Sequence, residues 1–352
     1  MSPSTHRRPV GLLFPGQGSQ HIRMAAGLYR SDPTFTFTMD RVLALMGEEG
    51  PAIRADWLSE DPLISIDDVR RAQPLLFAVD YALGRMILSW GIRPTALLGH
   101  SAGELVAATL AGVVRLSDAV LMMRERVRAA VAVPAGGMLA VAAGEDRVRP
   151  HLTGDVVIAA VNANAQVMLA GTTGPLEVTA GALRSAGLTV VRVPATSPFH
   201  SPAMEPAAEA IQPAYEQVRL RPPTVPLYSG YTGGPMRDED ACSARFWARQ
   251  VTDPVYFAPA LDNLLAAEDM LLIEAGPRQT LTAFARRHPA VRLRASAAVP
   301  LLPARPGSPE GDRRSVLAAA EELREQGYPV NPGAMSGNRQ EEPVRAVAGA
   351  LG

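Results

Sequence analysis

The sequence predicts an α/β protein in which helices cover both faces of a parallel sheet and a smaller antiparallel domain is inserted. Short apolar runs alternate with helical periodicity over 10–132, and the alternation resumes after Pro202. Between these parts, 138–193 has the order β-α-β-β-α-β, which is the ferredoxin-like motif. The chain has 352 residues, of which 47% are hydrophobic, and this is enough for two domains.

Each predicted element rests on a local pattern. Strands are short apolar runs bounded by glycine or proline, whereas helices carry apolar residues three and four positions apart. On this basis we expect strands at 10–14, 95–98, 138–143, 156–161, 166–170, 188–193, 225–229 and 270–274. We expect helices at 24–29, 73–90, 104–112, 117–132, 145–152, 174–186, 202–218, 257–267 and 315–326, and one that begins near Arg278.

Breaks in composition set the expected domain boundaries. Proline and glycine at 134–137, together with Pro194, bracket the small domain, and a proline- and charge-rich stretch after Pro303 is a linker. We therefore expect a large α/β domain over 1–134 and 201–303, with the ferredoxin-like domain over 135–200. A C-terminal helix and a loose tail take up 304–352.

Composition and charge bear on the expected binding partners and on the cellular compartment. A net charge of −1 gives no field that would draw the chain to nucleic acid or to an anionic membrane. Cys242 is the single cysteine and cannot form an internal disulfide, which favours the reducing cytoplasm. The six histidines are scattered, so we expect no metal site, and no apolar run predicts a leader or a membrane span. All 34 basic residues are arginine, so a single arginine is weak evidence for function.

The segment 99–103 has the pattern G-x-S-x-G and follows an apolar strand. In sheets like those of α/β-hydrolases, this pattern forms a sharp turn that exposes a serine and leads into a helix. Ser101 is therefore a candidate nucleophile, and the N–H groups at the start of the helix can face an oxyanion. The alternative is an ordinary strand-to-helix turn in which the serine caps the helix.

A serine hydroxyl needs an adjacent base, which is usually histidine. His200 is the best candidate of the six because its loop, 197–202, is stiffened by two prolines and joins the two domains. His100 adjoins Ser101 at the end of a strand, where successive side chains point apart. The alternative is that His200 is a surface group. No carboxylate stands out to orient the ring, so a backbone carbonyl is a candidate for that contact.

The loop 15–20 follows the first strand and contains Gly16 and Gly18. A dinucleotide-binding fingerprint would need a third glycine at the position of His21, so we set this interpretation aside. Exposed N–H groups beside a nucleophile fit an oxyanion hole better. We therefore expect no bound cofactor.

These motifs occur together in one family. The chain resembles the malonyl-CoA:acyl carrier protein transacylases and, more closely, the acyltransferase domains of modular polyketide synthases. The resemblance extends from about Val10 to Pro329. It is carried by 14–20 (FPGQGSQ), 73–74 (QP), 99–104 (GHSAGE), 111–112 (AG), 137–138 (GM), 199–202 (FHSP), 253–255 (DPV) and 274–277 (EAGP). Since the chain begins with methionine and has no attached ketosynthase, we expect a discrete enzyme that acts in trans.

The resemblance implies roles for individual residues. Ser101 would accept the acyl group from coenzyme A, and His200 would act as general base and acid. The backbone N–H groups of Gln17 and Ala102 would form the oxyanion hole. The main-chain carbonyl of Gln250 would hold the histidine ring.

The resemblance also implies a substrate with a free carboxylate. Arg126 matches the family arginine that pairs with this group through its planar guanidinium. Arg124 and Arg128 flank it, and the alternative is that all three are exposed surface residues. The other substrate-binding residues would be Gln73, His100 and Phe199.

The tetrad 197–200 bears on the choice of acyl group. Phe199 matches the malonyl-type tetrad of the family, whereas Ser197 and Pro198 match neither the malonyl nor the methylmalonyl type. We expect a monomeric enzyme that moves malonyl from coenzyme A to the phosphopantetheine thiol of an acyl carrier protein. The alternatives are another acyl group exchanged between carrier proteins, a hydrolase that removes acyl groups from carrier proteins, and a non-catalytic docking protein.

Overall fold

Two sheets organise the protein. The computed structural model describes residues 7–330, over which strands and helices alternate. The strands are β1 (Val10–Phe14), β2 (Ala96–Gly99), β3 (Gly136–Val141), β4 (Val157–Ala163), β5 (Gln166–Thr172), β6 (Val190–Val193), β7 (Leu227–Ser229), β8 (Gly234–Pro235), β9 (Leu271–Glu274) and β10 (Ala297–Pro300). The helices are α1 (Pro33–Leu45), α2 (Gly50–Leu58), α3 (Val69–Ser89), α4 (Ala102–Leu110), α5 (Leu116–Val131), α6 (Glu145–Val148), α7 (Thr173–Ser185), α8 (Glu205–Glu216), α9 (Asp238–Ala241), α10 (Ala244–Arg249), α11 (Phe257–Ala267), α12 (Thr280–Ala285), α13 (Pro289–Arg292) and α14 (Pro309–Glu325).

The larger sheet has the strand order β10-β9-β1-β2-β7-β8, and its pairs are parallel except for β7 with β8. Its two faces carry separate cores. Along β1, Leu12 and Phe14 enter a core shared with α1, α3 and α5, whereas Leu13 enters a core shared with α11 and α12. A strand covered on both faces has no polar side, and this explains the continuous apolar run of β1. The predicted parallel sheet with helices on both faces is confirmed.

The smaller sheet has the order β4-β5-β3-β6 and is antiparallel throughout. Leu139 of β3 lies opposite Leu169 of β5, and both are buried against Leu176 of α7 in a third core. With α6 and α7 the element order is β-α-β-β-α-β, so the predicted ferredoxin-like domain is confirmed. All of its elements fall within the predicted span 135–200, whose end residues stay a prediction.

Hydrogen bonds join the two domains close to the G-x-S-x-G turn. Val161 N donates to Val255 O at 2.8 Å, and Val255 N donates to Ala159 O at 2.9 Å. These bonds place β4 beside the segment that leads into α11. In addition, His100 Nε2 lies 2.7 Å from Asn162 Oδ1. The same strand of the small domain therefore contacts both the turn and the large domain behind it.

The predicted helix at 24–29 is wrong. This segment forms consecutive turns, and Arg23, Ala25 and Arg30 have left-handed φ angles of 56°, 57° and 68°. Met24 and Leu28 are fully buried in the main core. The apolar periodicity of the segment therefore reflects burial of a turn and not helix formation.

Helices α1, α2, α9, α10 and α13 and strands β8 and β10 were not predicted. Three threonines and two phenylalanines give α1 a low helix propensity, and for this reason the sequence pattern did not predict the helix. The helix is stabilised instead by burial of Phe35 and Met39 and by Asp32, whose carboxylate accepts a hydrogen bond from Phe35 N at 2.7 Å. Its stability comes from tertiary contacts that the local pattern does not contain.

The C-terminal helix begins earlier than predicted. Ser308 caps α14 by accepting a hydrogen bond from Gly311 N at 3.3 Å, so the helix starts at Pro309 and not near residue 315. Val316 and Leu323 are buried in the core of the large domain. The predicted loose tail over 331–352 lies outside the described residues.

The contact between the turn segment and α14 gives a stability test. A Cβ on Gly27 would lie 2.0 Å from the carbonyl oxygen of Pro309, whereas a Cβ on Gly181, inside α7, would meet nothing within 4 Å. We expect Gly27→Ala to lower the free energy of unfolding by about 1–3 kcal/mol, the usual cost of overpacking. Gly181→Ala, the matched control, should raise it by about 0.5–1 kcal/mol because alanine favours the helix. Urea denaturation measures both, and equal stability of the two variants would contradict the close approach.

Candidate active site

Ser101 occupies a strained turn between β2 and α4. Its backbone has φ 53° and ψ −117°, a combination that a residue with a side chain rarely adopts. The flanking glycines allow close approach of other backbone. A Cβ on Gly99 would lie 2.2 Å from Glu104 N, and a Cβ on Gly103 would lie 2.2 Å from Phe14 O. The strain thus falls on the serine itself, and the glycines let the turn pack tightly enough to hold it.

Ser101 Oγ lies 2.7 Å from His200 Nε2, and both residues are buried, with 8% and 3% of their surface exposed. The other ring nitrogen, Nδ1, donates to the carbonyl oxygen of Asp253 at 3.0 Å. This hydrogen bond fixes the proton on Nδ1 and leaves Nε2 of the neutral ring free to accept the serine proton. His200 N also donates to Val251 O at 2.7 Å, which anchors the backbone of the base.

The predicted support of the histidine ring by the Gln250 carbonyl stays a prediction, and the structure adds a second carbonyl. The ring atom Nδ1 donates to the carbonyl of Asp253, and the carbonyl of Gln250 accepts from Tyr231 Oη at 3.1 Å. The Gln250 carbonyl is still close enough to favour the charged form of His200. Both carbonyls belong to the turn that follows α10, and local spacing does not reveal which one faces the ring.

Burial controls the charge of the histidine. Removal from water, followed by the positive charge of Arg126, lowers the pKa of His200 to about 3, and the carbonyls of Asp253 and Gln250 oppose this only in part. The imidazole is therefore neutral over the physiological range. A neutral ring is the form that can accept a proton from serine.

The loop before α1 packs directly against the G-x-S-x-G turn. A Cβ on Gly16 would lie 2.5 Å from His100 O, so this position brings the two backbones together. Gln17 lines the same cavity as Ser101. Ala102 is the first residue of α4, where a backbone N–H has no intrahelical acceptor. Both predicted oxyanion-hole residues are thus adjacent to the serine.

Arg126 is buried, unlike its neighbours on α5. Only 5% of its surface is exposed, whereas Arg124 and Arg128 are exposed. Its Nε and Nη2 atoms have no hydrogen-bond partner within residues 7–330. Its Cζ lies 5.5 Å from the ring centroid of Phe199, and Phe199 lines the cavity although Arg126 does not. The site therefore contains a buried cation with two unused donors behind the cavity wall.

A cavity of about 270 Å³ lies between the two domains. Ser101 and His200 line it from the large domain, and the face of the small sheet forms much of its opposite wall. That wall is mostly apolar and includes Met138, Ala140, Ala160, Met168, Val191 and Val193. The cavity can therefore hold an apolar chain that reaches the serine.

Carboxamide side chains interrupt the apolar lining. Gln73 Nε2 donates to Gln17 Oε1 at 3.2 Å, and Asn162 lies against His100 as described above. The Oε1 atoms of Gln73 and Gln166 have no hydrogen-bond partner within the described part of the chain. The lining therefore offers polar groups that suit an uncharged, amide-bearing ligand.

His100 forms part of the cavity wall. Because Asn162 Oδ1 can only accept, Nε2 of His100 carries the proton in this hydrogen bond. Burial lowers the pKa of His100, so its ring is also neutral. Because Nε2 of His100 already donates to Asn162, it is not free to accept the serine proton, and this agrees with the assignment of the base to His200.

Four residues of the site received no role in the sequence analysis: Glu104, Asn162, Tyr231 and Asp253. Glu104 did carry a signal, since a lone charge on the apolar helix α4 indicates a buried group with partners. Asp253 opens the DPV motif at 253–255, which carried the resemblance but assigned the residue no role. Asn162 and Tyr231 reach the site from segments distant in sequence, and no local pattern distinguishes them.

Metal sites and membrane spans are both absent from the described part of the chain. Within residues 7–330, no three histidine, cysteine, aspartate or glutamate side chains gather as a metal site. Over the same range, every helix is too short or too polar to cross a membrane.

Comparison with known proteins assigns the family. The acyl transferase domain family matches residues 12–303. One of the phenolphthiocerol/phthiocerol polyketide synthase subunits of Mycobacterium tuberculosis is 39% identical over 289 residues, which cover 82% of this chain but only 19% of that protein. The chain thus spans about a fifth or less of the curated relatives that it matches.

Comparison with solved structures supports the same family. The acyltransferase domain from the second module of the salinomycin polyketide synthase is 34% identical, with a TM-score of 0.83 over 93% of this chain and 76% of that one. The acyl transferase domain of SpnD, solved with a 2-(pent-4-yn-1-yl)malonyl group, is 29% identical, with a TM-score of 0.84 over 94% and 78% of the two chains. The chain therefore belongs to the acyl transferase domain family and is an acyltransferase of the polyketide synthase type.

Proposed function

We propose that this acyltransferase moves a malonyl group from coenzyme A to the phosphopantetheine thiol of an acyl carrier protein through an acyl-enzyme on Ser101. The observation that carries the proposal is the 2.7 Å contact between Ser101 Oγ and His200 Nε2 at the wall of the interdomain cavity. A buried serine in a strained turn, bonded to a neutral histidine, is an activated nucleophile.

In the first half-reaction, His200 Nε2 takes the proton of Ser101 as Oγ attacks the thioester carbonyl. The N–H groups of Gln17 and Ala102 stabilise the oxyanion of the tetrahedral intermediate. Collapse breaks the carbon–sulfur bond, and the imidazolium returns its proton to the leaving thiolate of coenzyme A. In the second half-reaction, the carrier-protein thiol gives its proton to His200 and attacks the Ser101 ester. Collapse breaks the bond between the acyl carbon and Ser101 Oγ, and the imidazolium returns its proton to Oγ, which restores the free serine.

Arg126 supports a malonyl-type substrate. A buried cation without a partner is costly, and a carboxylate that accepts from both Nε and Nη2 removes that cost. The SpnD relative binds a substituted malonyl group. In this chain the bulky ring of Phe199 lies 5.5 Å from Cζ of the guanidinium, and its size favours unsubstituted malonyl over a branched acyl group.

The cavity lining supports an arm of the pantetheine kind. Pantetheine is a slender chain with two amide groups, and the wall combines apolar side chains with the amides of Gln73, Asn162 and Gln166. The single cysteine supports a cytoplasmic location.

The nucleophile and base are tested by loading with malonyl-CoA. Ser101→Ala should abolish the covalent adduct, and His200→Ala should slow its formation by about 10²–10⁴-fold, the usual contribution of a general base. His151→Ala, on the outer part of the small domain, is the control and should load normally. Intact-mass spectrometry with and without carrier protein follows loading and transfer. An adduct that persists in Ser101→Ala would contradict the assignment, and release to water in preference to the carrier would identify a hydrolase.

The carboxylate clamp is tested by acyl selectivity. Breaking a buried charged pair costs about 3–5 kcal/mol, so Arg126→Ala should slow malonyl loading by roughly 10²–10⁴-fold. Acetyl loading should change little, since acetyl has no carboxylate. Arg124→Ala removes an exposed arginine from the same helix and serves as the matched control. An unchanged ratio of malonyl to acetyl loading in Arg126→Ala would exclude the clamp and favour an uncharged acyl group.

The pH dependence of acylation tests the neutral histidine. With its pKa lowered to about 3 by burial and by Arg126, His200 stays unprotonated as the pH falls through the range where free histidine titrates. The rate of acetyl loading should therefore stay level down to about pH 5 and not fall near pH 6.5. Removal of the cation in Arg126→Ala should raise the pKa of His200 and move the acid limb upward. Stopped-flow or quench-flow loading at a series of pH values measures both, and a wild-type rate that halves near pH 6.5 would contradict the buried, neutral base.

A further inference from the structure

Glu104 is a fully buried carboxyl group that the proposed reaction does not use. It lies on α4, one turn after Ser101, and none of its surface is exposed. Its Oε1 accepts from Ser229 Oγ at 2.7 Å and from Gln250 Nε2 at 3.0 Å, and its Oε2 accepts from Gly230 N at 3.0 Å. Three donors from two distant segments thus converge on one side chain of the nucleophile helix.

The first of these segments, the turn at 250–253, holds the base. Gln250 opens the turn that supplies both hydrogen bonds to His200, one from the ring to Asp253 O and one from the backbone to Val251 O. The side chain of Gln250 is tied to Glu104. This buried hydrogen bond therefore connects the turn that holds the histidine to α4.

The second segment reaches the same histidine from another side. Ser229 Oγ, besides donating to Glu104, accepts from Tyr231 N at 3.0 Å. The Tyr231 ring lies 6.0 Å from the ring of His200, and its hydroxyl donates to Gln250 O at 3.1 Å. The two segments are thus bonded to each other as well as to Glu104.

We propose that Glu104 is a positioning residue that sets the distance between Ser101 and His200, an inference that rests on the proposed Ser101–His200 chemistry. It lies in the first turn of α4, which directly follows the nucleophile, and it binds both segments that hold the base. A misplacement of about 1 Å between reacting groups can cost about 10²-fold in rate. The hydrogen bonds of Glu104 can therefore affect the rate of acylation through the distance between Ser101 and His200.

The electrostatic surroundings agree with a local hydrogen-bonding role. Burial raises the pKa of Glu104, which the donors Ser229, Gly230 and Gln250 oppose, as does the positive charge of Arg126. No ion pair forms between Glu104 and Arg126 within the described residues. A buried carboxyl group without an ion pair lowers the stability of the fold unless hydrogen bonds compensate it. All three hydrogen bonds of Glu104 come from the segments that hold the base.

A double-mutant cycle on Glu104 and Gln250 tests the proposal. The variants are Glu104→Ala, Gln250→Ala and the pair, and the readout is the rate of Ser101 modification, separately from KM. We expect Glu104→Ala to slow acylation by about 10–100-fold with little change in KM, and the double variant to be no slower than Glu104→Ala alone. Glu104→Gln, which keeps one acceptor oxygen, should recover part of the rate.

A control separates positioning from general loss of stability. Asp32 is another buried carboxylate that accepts a backbone N–H, at the start of α1 and outside the site. Asp32→Ala should lower Tm without changing the acylation rate of the folded protein. Wild-type rates in folded Glu104→Ala, or effects that simply add in the cycle, would overturn the proposal.

The same variants are also labelled with a fluorophosphonate probe, which reacts with an activated serine whatever the natural acyl group. If wild-type protein reacts with the probe but not with malonyl-CoA, the proposed malonyl substrate is wrong, yet the cycle still reports on Glu104. If the probe reacts at equal rates with wild type and with Glu104→Ala, the positioning role is wrong, whatever the substrate.

Discussion

The turn at Ser101 is the constraint on which the rest of the site depends. Its left-handed backbone aims the hydroxyl into the interdomain cavity, and it persists only because the surrounding backbone leaves no alternative. Gly99 and Gly103 let α4 and β1 press against the turn at distances that a side chain would forbid. Packing of the parallel sheet and its two cores therefore keeps Ser101 in its strained conformation.

Removal of water then determines the chemistry of the groups around the serine. Burial lowers the pKa of His200 and keeps the ring neutral, and the nearby charge of Arg126 acts in the same direction. In the proposed reaction the same cation would attract the substrate carboxylate more strongly than it would in water, since its Nε and Nη2 atoms have no partner within residues 7–330. One arginine would then connect the protonation of the base to the choice of acyl group. The binding of a carboxylate would cancel that charge just before the imidazole must accept a proton.

The sequence predicted the parts of the fold that are determined locally. Strand 10–14 and helix 257–267 have the predicted bounds, and the G-x-S-x-G turn lies where its pattern placed it. Segment 24–29 has helical periodicity but folds as buried turns, because its contact with α14 outweighs its local preference. The ring contact of His200 and the role of Glu104 depend on segments far apart in the chain, and only the fold brings them together. In a chain whose basic residues are all arginine, the burial of Arg126 also had to come from the structure.

The most direct test of this account is a crystal structure of the wild-type protein frozen soon after exposure to malonyl-CoA. The account predicts an ester on Ser101 Oγ, with its carbonyl oxygen facing the N–H groups of Gln17 and Ala102. Its carboxylate should lie within hydrogen-bond distance of Nε and Nη2 of Arg126. A malonyl group attached to another residue, or one on Ser101 whose carboxylate points into solvent and away from Arg126, would contradict it.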